Sequence, residues 1–134
     1  MTYRSPEQPT TGQRVVHVVD DDDAVRESMA ALLEINGYAV ATHPSAAAFL
    51  DERTDDVLCL LLDVEMPGMT GPDLVRMLAD RDALPPTILV TAHSEHRSAR
   101  DTLSLGVRRI LGKPCAEDAL IAAIADTVGA GPAV

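Results

Sequence analysis

Positive charge is scarce in this chain: 11 Lys plus Arg stand against 21 Asp plus Glu over 134 residues, a formal net charge of −10. A domain that grips a phosphate backbone needs a basic patch, so direct nucleic-acid binding is disfavoured. Aromatic side chains are scarcer still, with two Tyr, one Phe and no Trp, which leaves little to stack on a flavin ring. The two cysteines, Cys59 and Cys115, lie in separate segments with neither CxxC nor paired-His spacing. Neither a disulfide scaffold nor a zinc site is indicated. Long hydrophobic runs are also missing. The uncharged apolar stretches, such as Val57 to Leu62, fall far short of the ~20 residues that span a bilayer. The opening residues from Met1 to Pro9 lack the apolar core of a signal peptide, so no membrane association and a cytoplasmic location are expected.

What is present is enough apolar material for one domain. With 46% hydrophobic residues, a chain of this size needs no covalent or metal staple to fold. Residues 1–13 and 129–134 read as a polar tail and a Gly/Ala/Pro tail or linker, which leaves 14–128 as the domain. Five apolar runs punctuate it: Val15 to Val19, Tyr38 to Ala41, Val57 to Leu62, Thr87 to Val90 and Arg109 to Leu111. Near-continuous Val, Leu and Ile is the pattern of strands buried on both faces. Between the runs, helix spacing is carried by Val25, Met29, Leu32 and Leu33, by Phe49 and Leu50, by Leu74, Val75 and Leu78, by Leu103, and by Leu120, Ile121, Ile124 and Val128. Stops are expected at Asn36-Gly37, Pro85-Pro86 and Gly106. A strand–helix unit repeated five times predicts an α/β fold, an open, doubly wound, parallel five-stranded sheet with helices on both faces. Ligands of such sheets bind beyond the carboxyl ends of the strands.

The residues that follow the runs carry the chemistry. Asp20-Asp21-Asp22-Asp23 follows the first, Asp63-Val-Glu65 the third, Thr91-Ala92-His93 the fourth and Gly112-Lys113-Pro114 the fifth. Packed carboxylates repel one another, and either raised pKa values or a hard cation relieves the strain. Mg²⁺ suits such a set. A carboxylate is also a nucleophile toward a phosphoryl group, and Asp63, at the end of the most apolar strand, is the best-held candidate. Charge on the transferred oxygens then has to be met by the metal, an ammonium and a hydroxyl. Lys113, the single lysine of the chain, and Thr91 supply the last two.

The ordered set Val-Val-Asp20-Asp21, Leu-Leu-Asp63-x-x-Met-Pro67-x-x-x-Gly71, Leu-Val-Thr91-Ala92 and Lys113-Pro114 resembles the CheY-like (flavodoxin-like) receiver domain of two-component response regulators, most closely the FixJ/NarL branch, whose longer members carry a LuxR-type helix-turn-helix. The similarity covers about residues 14–128. It implies that Asp63 is the phosphoryl acceptor and that Mg²⁺ (or Mn²⁺) is held by Asp21, Asp63 and the backbone carbonyl of Glu65, with help from Asp20. Thr91 becomes the switch hydroxyl and Lys113 the phosphoryl contact, with a cis Lys113-Pro114 peptide. The implied partners are a sensor histidine kinase or histidine phosphotransferase, and a downstream protein or second copy that meets the face between the fourth and fifth helices. Thr91, Ala92, Ile110 and Pro114 border that face.

Two positions depart from the family pattern. Ile110 stands where an aromatic usually reports the switch, and Cys115 where an aromatic usually follows the proline. Other features have plainer readings. Asp22 and Asp23 suit a helix start. His93 and His96 suit exposed or capping positions better than a metal pair, and His17 suits a hydrogen-bonded core position. Arg97, Arg100, Arg108 and Arg109 suit either a solvated face or a partner patch. The loop at Asp20 lacks the glycine and final glutamate of an EF-hand, and Gly106 to Lys113 lacks the spacing of a Walker motif. Two other functions compete with the signalling switch. One is an interaction module that has lost phosphorylation. The other is a haloacid dehalogenase-like phosphatase, which Asp63-Val-Glu65-Met and the chain length disfavour. No turnover of an external substrate is expected, only self-phosphorylation and slow self-dephosphorylation. A chain ending soon after the fifth helix is expected to lack a DNA-binding domain.

Overall fold

The structure, a computed structural model, describes residues 14–52 and 56–129. Strands β1 (Val15–Val19), β2 (Val40–His43), β3 (Val57–Asp63), β4 (Thr87–Thr91) and β5 (Arg109–Gly112) form one parallel sheet in the order β2-β1-β3-β4-β5. They alternate with α1 (Asp23–Ile35), α2 (Ala46–Glu52), α3 (Gly71–Asp80), α4 (Arg97–Arg100) and α5 (Glu117–Gly129). The expected doubly wound α/β architecture is what forms. Expected tail residues 1–13 and 130–134 lie outside the described residues. Gly129, assigned from the sequence to the second tail, is the last residue of α5.

Side-chain alternation divides the core into two layers. Val16, Val18, Cys59, Leu61, Ile88 and Val90 pack against Leu33 of α1 and Leu120 and Ile124 of α5. Val19, Leu60, Leu62 and Leu89 point the other way, onto Phe49 of α2, Leu74, Val75 and Leu78 of α3, and Ala99 of α4. Each fully buried Leu or Ile contributes about 2 kcal/mol, so both faces lock the central strands. β1 and β3 pair from Val16↔Cys59 to Val19↔Leu62. That register brings Asp20 and Asp63, the next residue on each strand, to the same edge.

Three elements differ from expectation. β2 starts at Val40 rather than Tyr38, because the end of α1 claims Tyr38. Gly37 is left-handed (φ 93°), its N–H donates to the Glu34 carbonyl and the Tyr38 N–H donates to the Leu33 carbonyl at 3.0 Å, a helix-closing loop. The strand then runs on through Thr42 and His43. α3 stops at Asp80 with no help from Pro85-Pro86. Asp82 takes the left-handed position (φ 54°), and Asp82 and Ala83 donate back to Ala79 and Leu78. The fourth helix is one α-turn followed by a 3₁₀ segment, Asp101–Leu105, which ends at left-handed Gly106 as expected. Its inward residues are Ala99 and Thr102, not Leu103, which is 42% exposed. Thr102 Oγ1 donates to the Ala99 carbonyl at 2.5 Å, a local bond that suits the tighter winding.

Candidate functional site

The carboxyl ends of β1, β3, β4 and β5 converge on one acidic pocket. Asp20 (2% exposed) and Asp63 (7%) are buried, while Asp21 is exposed. Carboxylate oxygens of all three lie within 4.8 Å of one another, the one such group of potential metal ligands among the described residues. Lys113 Nζ donates to Asp20 Oδ2 and Asp63 Oδ1, each at 3.1 Å. The lysine is aimed by its own backbone. Its N–H donates to the Thr91 carbonyl at 2.7 Å, and the expected cis peptide to Pro114 is present.

The loops are built to hold these groups still. The Asp20 N–H donates to the His43 carbonyl at 3.2 Å, and Asp20 Oδ1 accepts from the Asp22 N–H at 2.9 Å. Asp22 caps α1 as expected, accepting from the Val25 N–H at 3.0 Å. Beyond β3, Gly68 is left-handed (φ 77°), and Thr70 and Asp73 form a reciprocal capping box at the start of α3. Gly71 closes tightly on the strand: its N–H donates to the Val64 carbonyl at 2.9 Å, and a Cβ there would stand 2.5 Å from the Asp63 carbonyl oxygen.

Charge at the pocket is unbalanced. Burial, then the Asp20 charge, push the Asp63 carboxyl above its usual range, and Asp21 adds to this. The charge and hydrogen bond of Lys113 pull the other way without prevailing. For Lys113, burial alone would lower the ammonium. Its hydrogen bond to Asp20, then the charge and hydrogen bond of Asp63, outweigh that and raise it. Three carboxylates share one ammonium, which leaves two negative charges uncompensated. A hard dication with oxygen ligands fits that deficit and that donor set.

The remaining expected residues fall around this centre. Thr91 is buried (1% exposed), and its Oγ1 accepts from the His93 N–H at 3.0 Å. Glu65 is exposed, its carboxylate 3.6 Å from His93 Nε2. His96 caps α4 through Nδ1, which accepts from the Ser98 N–H at 3.4 Å, so the two histidines serve separate ends. Glu65, Thr91, His93 and Arg76 line a groove of about 600 Å³. Ala92 and Pro114 are exposed, Ile110 and Cys115 half-buried. Ile110 packs against the α2, α3 and α4 layer, Cys115 against the α1 and α5 layer. Arg97, Arg100, Arg108 and Arg109 are all exposed. Two of them lean on α5: Arg109 lies 3.5 Å from Asp126, and Arg108 donates to the Thr127 carbonyl at 3.4 Å.

Sequence reasoning missed two residues. His43 stacks on His17 (ring centroids 5.1 Å apart) and hydrogen-bonds it at 2.9 Å, so His17 is a bonded core residue as expected, with an unforeseen partner. Arg26, the other, folds back from α1 onto Asp20. A cation in the first turn of a helix, where the dipole is unfavourable, was the available signal.

The response regulator receiver-domain model matches residues 16–125. The chain is 46% identical over 115 residues to the transcriptional regulatory protein FixJ of Azorhizobium caulinodans, covering 85% of this chain and 54% of that protein. FixJ of Rhizobium meliloti is 38% identical over 113 residues, covering 81% and 54%. The chain thus spans about half the length of these relatives. The crystal structure of FixJ-N superposes with a TM-score of 0.78 at 34% identity, covering 92% of this chain and 100% of that one. The structure of the response regulator StyR gives 0.81 at 35% identity, covering 88% of this chain and 60% of that one. With the sheet order and the acidic edge already in place, these likenesses make the chain a member of the response regulator receiver-domain family, in its FixJ-like branch.

Proposed function

We propose that the chain is a phosphorylation-driven switch of a two-component phosphorelay, in which Asp63 accepts a phosphoryl group from the phosphohistidine of a sensor histidine kinase or histidine phosphotransferase. The observation that carries this reading is Lys113 Nζ set 3.1 Å from both Asp63 and Asp20, beside a carboxylate trio one dication short of balance. In the transfer, an Asp63 carboxylate oxygen forms a bond to phosphorus, the bond from phosphorus to the histidine nitrogen breaks, and the imidazole leaves. Lys113 meets the incoming phosphoryl oxygens as a compact point charge. Thr91 turns its hydroxyl toward them, exchanging its bond with the His93 N–H. Asp20, Asp21, Asp63 and the Glu65 carbonyl would hold Mg²⁺ (or Mn²⁺), which when bound neutralises charge on those oxygens.

The new charge, ~1.5 to 2 negative units, biases Thr91, Ala92 and Pro114 and the face formed by α4, β5 and α5. There a protein partner or a second copy docks. Ile110 gives this chain no aromatic ring to swing, so the readout runs through backbone and loop packing. The same residue favours a second reading, an interaction module indifferent to phosphorylation. The action is cytoplasmic, self-directed and without turnover of an external substrate. Among the described residues no helix is long and apolar enough to cross a membrane. The domain proper is residues 14–129, with Gly129 closing α5.

Intact mass after incubation with Mg²⁺ and acetyl phosphate tests the proposal. One phosphoryl adduct is expected, dependent on Mg²⁺, lost in Asp63→Asn and slowed in Lys113→Ala. An adduct that persists in Asp63→Asn would overturn the assignment. Partner binding unchanged by loading would favour the second reading.

A further inference from the structure

Four consecutive aspartates, Asp20 to Asp23, repel one another across a tight turn, yet the pocket needs Asp20 and Asp21 in fixed positions. Arg26, fourth residue of α1, sits against this run, with only 14% of its side chain exposed. Nη1 donates to the backbone carbonyl of Asp20 at 2.7 Å, and Nη2 pairs with the carboxylate of Asp23. One planar fork therefore ties the end of β1 to the first turn of α1. Asp20 is then held at its carbonyl by Arg26, at its N–H by the His43 carbonyl and at its carboxylate by Asp22 and Lys113.

We infer that Arg26 is a positioning residue for the acidic pocket, a strap that presets the Asp20 and Asp21 carboxylates for a divalent cation. It touches neither the phosphoryl group nor the metal; it acts through the Asp20 carbonyl. The inference rests on the metal-assisted reading above, and its sign separates it from simple electrostatics. Removing a positive charge beside a cation site strengthens cation binding if charge alone matters. Removing a strap weakens it, because the free loop spreads its aspartates and must be ordered again when the ion arrives. Lysine keeps the charge, but its single ammonium cannot reproduce the two-pronged fork.

Mn²⁺ titrated into the whole chain and followed by electron paramagnetic resonance provides the test, at a temperature where circular dichroism shows each variant folded. Arg26→Gln is expected to bind Mn²⁺ roughly tenfold more weakly, the usual scale for losing an outer support of a metal ligand. Arg26→Lys is expected to be weakened too. The Mg²⁺ concentration for half-maximal loading from acetyl phosphate should rise, with the loading rate recovering at saturating Mg²⁺. Equal or tighter Mn²⁺ binding by Arg26→Gln, or wild-type affinity in Arg26→Lys, would overturn the strap. Should Arg26→Gln not fold, Arg26→Lys decides alone. Asp21→Ala tells the two readings apart. Mn²⁺ binding lost in Asp21→Ala but indifferent to Arg26 overturns the strap only, whereas no binding by the wild type overturns the metal reading and the strap with it.

Discussion

Asp63 ends the most apolar strand of the sheet and competes with Asp20 for the ammonium of Lys113. Burial and like charge hold its carboxyl above the usual range. The folded state therefore keeps the proton to a higher pH than the unfolded chain, and stability falls as pH rises from about 3.8 through the raised folded value. Asp63→Asn removes that loss while Lys113 keeps Asp20. The variant is expected to be more stable than wild type at pH 7 without metal, with a higher thermal midpoint. Calorimetry in chelator checks it; a lower midpoint would show that the hydrogen bond to Lys113 outweighs the repulsion. Asp20, Asp63, Thr91 and Lys113 were legible in the sequence because each follows an apolar run, Lys113 after one intervening glycine, and the strand end dictates where they stand. Arg26 and His43 were not. A side chain that folds back along its helix, and a polar residue that continues a strand, leave no period to read.

At the scale of elements, the strands were legible because both faces are buried and the apolar runs are continuous. Their limits moved where turn chemistry intervened, at Gly37 and at Asp82. The fourth helix was misread because a lone leucine defines no face; the residues that anchor it are a small Ala99 and a hydroxyl-bearing Thr102. That short element leaves Leu103 and Leu105 exposed at 42% and 36%, and Leu105 lines a groove with Leu84, Gly106 and Arg108. If this surface receives a second copy, light scattering should find a larger species after phosphoryl loading, and Leu105→Glu should return it to monomer with loading intact. A monomer before and after loading would remove self-association from the output. Gly71 makes a prediction of another kind. A Cβ 2.5 Å from the Asp63 carbonyl faces backbone that cannot rotate away, so the start of α3 must retreat from β3. Gly71→Ala is expected to cost ~1 to 3 kcal/mol, read as a lower denaturation midpoint, and to slow loading of Asp63. Retained stability would mean that the loop absorbs the methyl.

For the molecule as a whole, the acid response of the buried histidines runs through groups separate from the metal site. Under α2, His17 and His43 are stacked, bonded to each other and edged by Phe49. Burial lowers both from 6.5 to about 4, the neighbouring His43 charge lowering His17 further and Asp56 opposing it. Both stay neutral in the folded state while the unfolded chain takes up protons below pH 6.5. The stability they allow is whole above that pH and is lost as pH falls toward 4. Each unit in that window removes about 1.4 kcal/mol per histidine. Glu52, 3.6 Å from His43 Nδ1, is itself exposed. Between pH 7.5 and 5 the histidine pair together therefore loses ~4 kcal/mol, and the thermal midpoint should drop by roughly 10 °C or more. In the double variant His17→Leu, His43→Leu the slope should flatten, since replacing both partners by apolar groups leaves no orphan. Mg²⁺ should raise the midpoint at pH 7.5 by mass action, ~1.4 kcal/mol at ten times its dissociation constant, and chelator should reverse the gain. Because the histidine pair lies between β1 and β2 rather than among the carboxylates, the Mg²⁺ increment should survive in the double variant. An increment lost with the histidines would mean that the pair and the acidic edge form one cooperative unit, coupled through the bond from the Asp20 N–H to the His43 carbonyl.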